Sequence, residues 1–463
     1  MLRKSTIIVT LMMLASACVS FYEVSHNFNE QFENGNIDQA LTELKGDKQY
    51  QKSNVQLLYY LNLGLLRSMK GDYVKSNKAF EKAYIFGEDY KVNYLSEAAS
   101  YLTNPTITMY RGEDHEHLMP LYYKALNFLK MNQYEDALVE CRRLNIRLQQ
   151  LSDKYKNPRK YQRDAFIHNL MGIIYQANGD WNNAFIAYRN ALEIYNDDYT
   201  TMFNLSAPDQ LKKDLLISAW RMGFTEEYNT YRDQFGWSDF DPANQPDADL
   251  VFFWHNGLGP VKNEWSINFA ITGGSDNLFV LENEGQTMSF PFHVYDKDDR
   301  SSLSDLRMFR VAFPKYVERP LYFSRGSVST EGDTYPLEVA EDINKIAFKS
   351  LEDRMALEFS KTLIRAALKK AAEESLRKES KGWGAVLGAV NAFTERADTR
   401  NWQTLPHSIA YTRVPLHEGT NQTTVTLTTP DGRQSQYPFT YNVKKGQTLF
   451  HTFTSLEAKP AGY

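Results

Sequence analysis

The sequence has no excess of basic residues, few cysteines and no long apolar run, and each of these absences argues against a class of protein. Its 463 residues carry 52 Lys and Arg against 57 Asp and Glu, a formal net charge of -5, so no basic excess marks a nucleic-acid-binding surface. Only two cysteines are present, and 42% of the residues are hydrophobic, among them 29 Tyr and 27 Phe. The most apolar runs are far shorter than the ~20 residues that a membrane-spanning helix needs. We therefore expect stability to come from buried apolar and aromatic side chains.

The amino terminus has the layout of an export signal. Arg3 and Lys4 precede an apolar stretch from Ile7 to Ala15, which is too short to cross a ~30 Å hydrocarbon core. The following run, LASAC (14–18), resembles the lipobox of bacterial lipoproteins. That resemblance implies that Cys18 becomes the lipid-bearing first residue of the mature chain, after removal of residues 1–17. The alternative is an ordinary signal peptide with a cysteine there by chance.

Lipidation would fix both the compartment and the cysteine chemistry. More than one acyl chain on Cys18 gives stable anchoring, since one chain alone binds marginally. Val19 is not the Asp that implies inner-membrane retention in many Gram-negative lipoproteins, so we expect the periplasmic face of the outer membrane. Only Cys141 would then remain, which excludes an intrachain disulfide.

Residues 18–236 have a helical period that repeats. In the segment from His168 to Asn196, Gly172 and Ala184 have small side chains where two helices would cross, Tyr175 and Tyr188 have large ones, and a turn falls at residues 178–180. These offsets resemble the tetratricopeptide repeat. Further copies have turns near residues 35, 71 and 132, with Cys141 at a buried slot of the third. The positions predicted to pack helix on helix are Gly64, Phe80, Ala125, Ala137, Gly172, Tyr175, Ala184 and Tyr188.

The spacing of these turns is irregular, and only the first interval approaches the repeat length of about 34 residues. Insertions are therefore expected, one of them at 103–117. A stacked array leaves a concave face that usually binds an extended peptide or a helix; a purely structural spacer is the alternative.

The second half has a different period. Two Pro and four Asp in residues 237–250 indicate a linker, and residues 251–463 alternate as β-strands do. Inserted helices are expected at about 338–397: a long one from Leu337 to Ser380 across the sheet, then a packed helix or hairpin at 382–393, for which membrane contact is the less favoured alternative. HNGLGPVK (255–262) is interpreted as a hairpin turn. The predicted class is α+β multidomain, an all-α TPR-like solenoid followed by a β-rich domain.

A wider resemblance covers nearly the whole chain. The order of lipobox, degenerate repeats, HNGLGPVK, and ERADTRNWQTLP leading to TRVPLHEGTN is similar to a family of bacterial tetratricopeptide lipoproteins. No catalytic residue is assigned in that family, so the resemblance implies none here. Its relatives are sometimes associated with lipoprotein activators of penicillin-binding proteins, which implies work on the envelope or on peptidoglycan.

The sequence contains no strong motif for catalysis or for metal binding. His115 and His117 form the closest histidine pair, but alternate residues in an acidic segment are a weak metal template, and we expect a solvated loop there. HNGLGPVK lacks the GxxxxGK[ST] spacing of a phosphate loop. Near residue 400 two interpretations stay open: an Asp398–Arg400 clasp with Trp402 buried, or an exposed contact patch made of Asp398, Arg400, Asn401 and Trp402.

We therefore predict a scaffold without catalytic, cofactor or metal residues, which binds an envelope protein or peptide through the repeat groove while Cys18 holds it to the membrane. Its narrower version regulates peptidoglycan synthesis. The alternative is an envelope hydrolase or glycan-processing enzyme with a site between the two halves, which a pocket of converging Asp, Glu or His with shifted pKa values would support. A third is an accessory part of a secretion complex.

Overall fold

The protein is described from a computed structural model, which covers residues 20–89, 108–153, 155, 160–243, 246–275, 278–283, 286–291, 308–355 and 396–458. Three predictions lie outside these residues: the lipidation of Cys18, the packing of 382–393 and the helix beyond residue 355. Within the described ranges, no helix is both long enough and apolar enough to span a membrane.

Antiparallel helical hairpins form the first half. The helices are α1 (Phe21–Val24), α2 (His26–Glu33), α3 (Ile37–Gly46), α4 (Gln56–Met69), α5 (Tyr73–Asp89), α6 (Asp114–Lys130), α7 (Tyr134–Ser152), α8 (Ala165–Ala177), α9 (Trp181–Ile194), α10 (Thr200–Phe203), α11 (Asp209–Arg221) and α12 (Thr225–Phe235). A π-helical turn, Tyr195–Tyr199, lies between α9 and α10.

The four predicted turns are confirmed as the hairpin turns of this array. Gly35, Gly71, Asn132 and Gly179 all have positive φ, the left-handed conformation that commonly ends a helix. A fifth hairpin, α11 with α12, turns at Gly223 and was not predicted. Its second helix, TEEYNTYRDQF, contains no aliphatic residue and buries no side chain fully, so the apolar period used to find the others is missing.

Small residues face aromatic rings where the hairpin helices cross. A Cβ added to Gly172 would lie 2.4 Å from the Tyr188 ring, and one added to Gly64 would lie 2.6 Å from the Phe80 ring. Other predicted packing positions, Ala125, Ala137 and Ala184, are fully buried, whereas Tyr175 is half-buried. Cys141 also lies in the core as a free cysteine.

The described residues of the second half form two sheets. Their strands are β1 (Ala248–Asn256), β2 (Val261–Ser275), β3 (Leu278–Asn283), β4 (Gln286–Pro291), β5 (Met308–Val317), β6 (Arg325–Thr330), β7 (Asp333–Asp342), β8 (Ser408–Leu416), β9 (Gly419–Thr428), β10 (Gln434–Val443) and β11 (Thr448–Thr454). The larger sheet has the order β10-β9-β6-β7-β8-β1-β11 and the smaller one β4-β3-β2-β5. A helix, α13, occupies residues 343–355, and a short one, α14 (Ser455–Ala458), ends the described chain.

Two predictions about this half are wrong. HNGLGPVK does not turn a hairpin, because β1 pairs with β8 and β11 whereas β2 pairs with β3 and β5; the segment carries the chain from one sheet to the other. The predicted helix does not begin at Leu337, since residues 333–342 form β7, which pairs with β6 and β8. Buried Leu337 therefore belongs to a paired strand, and only the residues after 342 keep the helical step.

The larger sheet curls until its two end strands touch through side chains. On β10 and β11, Phe439 lies 4.7 Å from His451 between ring centroids, and the Tyr441 hydroxyl is 3.0 Å from His451 Nδ1. Inside the curl lies a second core that includes Phe252 and Trp254. The opposite face of β1, with Val251 and Phe253, joins the core of the helical array, as the alternation of side chains along a strand requires.

The contact between Gly172 and Tyr188 generates a stability prediction. Gly172→Ala pushes a methyl group into the Tyr188 ring, and we expect the free energy of unfolding to fall by about 1–3 kcal/mol, the usual cost of overpacking. Urea unfolding followed by tryptophan fluorescence measures this. Gly46→Ala is the matched control, because its added Cβ meets nothing within 4 Å; an equal loss in both variants would contradict the proposed close approach.

Candidate functional site

The sheet domain lies directly on the helical array, and we call this contact the joint. Phe253 of β1 meets Phe166 of α8 at 6.4 Å between ring centroids. Its neighbour on the same strand face, His255, is 2.9 Å through Nε2 from the Tyr122 hydroxyl of α6. Burial lowers the pKa of His255 to about 3, so this imidazole is neutral at pH 7. The joint is thus a packed interior rather than an open cleft.

An extended segment, residues 396–407, runs along the array before β8 begins. Its backbone and side chains form hydrogen bonds with five residues of the array. The Phe21 amide donates to Thr399 Oγ1 at 3.0 Å, Arg400 Nη1 donates to the carbonyls of Asn54 and Thr108 at 2.9 Å each, and the Trp402 amide donates to Glu116 Oε1 at 2.6 Å. Further along, Thr404 Oγ1 donates to Asn62 Oδ1 at 2.7 Å. The chain therefore places its own extended peptide on the array.

Of the two interpretations of residues 398–402, the structure has the clasp. Arg400 Nη2 is 2.7 Å from Asp398 Oδ2, and the Trp402 ring lies about 6 Å from those of Phe80 and Tyr123. Asn401 bonds to the Pro260 carbonyl through Nδ2 at 2.9 Å. Arg400, Asn401 and Trp402 are at most 3% exposed, so the exposed patch is wrong. The polar residues bond to backbone groups of other elements, which a pattern of neighbouring residues does not reveal.

The expected solvated loop around His115 is also wrong. His115 and His117 lie in the first turn of α6, where Glu113 and Glu116 form a capping box. His115 is 4% exposed, and burial lowers its pKa to about 4. Glu113 and Glu116 thus satisfy amide groups at the start of the helix. In the described part of the chain, no group of three His, Cys, Asp or Glu side chains is placed to hold a metal ion.

A buried ion cluster centres on Glu113. Its carboxylate contacts the Lys262 ammonium of β2 and Arg354 Nη2 of α13, the latter at 2.8 Å. Burial opposes its ionisation, but Arg354 and Lys262 outweigh burial and hold the pKa of Glu113 well below its usual range. Burial and the neighbouring Glu113 raise the pKa of Glu116 to about 7. The cluster joins the array to β2 and to α13 by charge.

A second buried cation crosses the joint at the other end of the array. Arg413 of β8 binds Asp214 of α11 through Nε at 3.1 Å and Asp249 of β1 through Nη1 at 2.8 Å. Its Nη2 reaches the hydroxyl of Tyr188 at 3.5 Å. Tyr188 therefore links the array to the sheet: its ring packs on Gly172 within the array, and its hydroxyl contacts Arg413 of the sheet.

The joint contains a small cavity of about 20 Å³, lined among others by His115, Tyr161, Asp164 and Glu341. Burial raises the pKa of Asp164, and burial together with Asp164 raises that of Glu341 well above its usual range. Carboxyls with shifted pKa values thus converge between the two halves, the feature expected of the enzyme alternative. The volume admits about one water molecule and not a sugar or a peptide.

Three buried carboxyl residues were not predicted from the sequence: Glu113, Asp164 and Glu341. The sequence does contain a signal for Asp164, which immediately precedes an apolar helix and caps it. Its Oδ1 accepts from the Ile167 amide at 2.8 Å. Glu341 lies in LEVAEDI at the junction of β7 and α13, and the wrong start for the predicted helix concealed its position on a strand facing the array.

No protein-family model matches the chain, and no curated protein does. Among solved structures, the chain is similar to "MamA 41-end from Desulfovibrio magneticus RS-1" (16% identity, TM-score 0.30, 48% of this chain and 94% of that one). It is also similar to BtubC (BKLC) from P. vanneervenii (13%, 0.32, 48% and 83%) and to a Rap protein complexed with Competence and Sporulation Factor (13%, 0.29, 46% and 52%). At these TM-scores the likeness carries no inference about function.

The protein is thus a TPR-like helical array followed by a β-sheet domain, a mixture of helices and sheets as predicted. That class rests on the hairpins, their left-handed turns and the close contacts of Gly64 and Gly172.

The ion cluster generates a prediction about the joint. Glu113→Gln keeps the shape of the side chain but leaves Lys262 and Arg354 buried against a neutral amide, so we expect a loss of about 3–5 kcal/mol in the free energy of unfolding. The double variant Glu113→Gln, Lys262→Met has one uncompensated charge fewer than Glu113→Gln. Its loss in the free energy of unfolding should therefore be smaller than the sum of the losses of the two single variants. Urea unfolding of the three variants measures this coupling. Asp38→Asn, which breaks the exposed pair with Lys70, is the control and should change little; simple additivity would contradict a coupled cluster.

Proposed function

We propose that the chain is a lipid-anchored adaptor of the cell envelope, which binds a protein or peptide partner and has no catalytic activity of its own. The observation that carries this proposal is the division of the array into two faces. Side chains directed to the joint are covered by segment 396–407 and by the sheet, whereas helices α5, α7 and α9 present aliphatic side chains to solvent. A helical array that is rigid and apolar on an outer face is suited to binding rather than to chemistry.

The inner face is occupied within the chain itself. Trp402 is 1% exposed between the array and the sheet, and the bonds of Arg400 and Thr404 saturate backbone and amide groups that a bound peptide would use. We therefore assign the partner to the outer face and not to the groove expected from the repeats.

Exposed aliphatic residues recur there at equivalent repeat positions. Val139 and Ile146 lie seven residues apart on α7 and are 45% and 56% exposed; Ile85 on α5 and Ile186 on α9 are 47% and 38% exposed. Counted from the turns at Gly71, Asn132 and Gly179, Ile85 matches Ile146 and Val139 matches Ile186. Equivalent positions of stacked repeats follow one another along the array, and we call these four residues the outer ridge. An ion pair between Arg143 and Glu81, 3.0 Å apart, ties α7 to α5 beside it.

The envelope location rests on the lipobox resemblance at residues 14–18. A lipid on Cys18 would hold the outer ridge close to the membrane, which raises the local concentration of any partner in the same envelope. The outer membrane facing the periplasm is the proposed site, and the machinery of peptidoglycan synthesis is the narrower proposal for the partner.

An envelope hydrolase remains the second candidate, because Asp164, Glu341 and His115 converge at the joint. Its cavity, however, holds about one water molecule, and a substrate could enter only if the array and the sheet separated. The adaptor is therefore the better supported function.

In-cell crosslinking with mass spectrometry tests the adaptor. The native chain should yield one dominant envelope protein crosslinked through α5, α7 or α9, with recovery reduced about tenfold or more by Ile146→Glu, because a buried charge in an apolar contact is costly, and weakened by Cys18→Ser.

Val317→Glu is the matched control, since Val317 lies on β5 with a similar exposure of 41% but outside the outer ridge, and it should leave the crosslink unchanged. Failure of the native chain to crosslink to any protein, or equal recovery from Ile146→Glu, would overturn the proposal.

A further inference from the structure

Two irregular elements face each other across the joint. The π-helical turn Tyr195–Tyr199 interrupts the array after α9, and a bulge between Val339 and Glu341 shifts the register of β7 against β8. Two tyrosines of the π-helical turn contact β7 at this bulge. The Tyr195 hydroxyl donates to the Ala340 carbonyl at 2.7 Å, and the Tyr199 hydroxyl is 3.1 Å from Glu341 Oε2. Both irregularities disturb regular hydrogen bonding and both recur at functional sites.

Tyr199 is also within reach of a second carboxyl. Its hydroxyl is 3.3 Å from Asp164 Oδ1, and the other oxygen of Asp164 accepts from the Tyr161 hydroxyl at 2.8 Å. A tyrosine has one hydroxyl proton, so Tyr199 can donate to only one of its two carboxyl neighbours. At the other carboxyl, a lone pair of the Tyr199 oxygen would face a lone pair of the carboxylate oxygen, which is repulsive unless one of the two carboxyls carries a proton.

The donor count identifies which carboxyl that is. Asp164 accepts from Tyr161 and from the Ile167 amide at the start of α8, and hydrogen bonds of this kind favour its ionised form. Glu341, 3% exposed, has Tyr199 as its hydrogen-bond partner within the described part of the chain. An ionised Glu341 would be buried almost without compensation, which is costly.

We propose that Glu341 is a proton-binding site at neutral pH: it donates this proton to the Tyr199 oxygen, Tyr199 donates its own to Asp164, and the resulting chain of hydrogen bonds joins the sheet to the array.

The surroundings supply little positive charge. Tyr161, Tyr195 and Tyr122 are neutral phenols, and His115 on the same cavity is a neutral imidazole, its pKa lowered to about 4 by burial. Asp342, next in the chain, adds negative charge; Lys345 is 3.6 Å from Asp342 and donates to the Phe203 carbonyl. Burial first, and then Asp164, keep the pKa of Glu341 well above its usual range.

The proton links folding to pH in a defined direction. Above its ordinary pKa of ~4.3, Glu341 is ionised in the unfolded chain but protonated in the folded one. The folded state then holds one proton more, and each pH unit of increase lowers the folding equilibrium constant about tenfold, until the raised pKa is reached. The joint is held most firmly on the acidic side of neutrality and weakens as pH rises.

Glu341→Gln in the full chain tests the proposal, because the amide keeps the shape, can donate to Tyr199 and does not titrate. Urea unfolding from pH 5 to pH 7 should show the wild type losing stability relative to the variant by about tenfold in the equilibrium constant per pH unit. Glu338→Gln is the matched control on the same strand, because the Glu338 carboxylate accepts from the amides of Asp209 and Gln210. The difference in stability between this variant and the wild type should be the same at every pH. A constant difference between wild type and Glu341→Gln would overturn the proposal.

A second measurement does not involve unfolding. Infrared absorption of the native chain at pH 7 should contain the C=O band of a protonated carboxyl, although exposed carboxyls are ionised there. Glu341→Gln should lose part of this band and keep the part that comes from Glu116, whose pKa is about 7. Equal bands in the two proteins would overturn the proposal as well. Neither result depends on an envelope partner, so the proton site and the adaptor can fail separately.

Discussion

The burial of one sheet face on the helical array is the contact on which the rest of the structure depends. Val251, Phe253, Ile409 and Tyr411 belong to the same core as the helices, so neither half buries its apolar surface alone. A fully buried side chain of this size contributes about 1.5–3 kcal/mol. The clasp, the ion clusters and the proton site all lie at this joint, and each is buried because the two halves meet there.

Because the joint is packed, the inner face of the repeats binds part of the same chain. Hairpins of this kind usually leave a face for a foreign peptide, but here Arg400, Trp402 and Thr404 bind that face from within the same chain. The repeats act first as a cradle for their own sheet domain. Any surface offered to another protein must then come from the helices that point away, and the exposed Ile85 and Ile146 lie there.

The features predicted from the sequence are those that neighbouring residues determine, namely close helix crossings and the turns that end helices. Gly172 and Tyr188 were found because a close helix crossing requires a small residue opposite a large one, and Gly35, Gly71 and Gly179 because a helix end favours the left-handed conformation. β7 was missed because Val339 continues the four-residue apolar step of the following helix, and only pairing with β6 and β8 makes it a strand. Glu113 and Glu341 could not be predicted, since their partners lie more than 140 residues away and one sequence does not show which distant residues meet.

The parallel pairing of β1 with β11 has a consequence for the order of events during synthesis. β1 is complete at residue 256, but its partner on that side begins only at Thr448, and Leu456 then closes over Gly35 of the first hairpin. Because a chain emerges from its amino end, the array, complete at Phe235, must wait with part of its inner face uncovered until segment 396–407 and β11 have been made. Contacts of such long sequence separation form slowly, and a chaperone that shields the uncovered face would find its substrate in this interval.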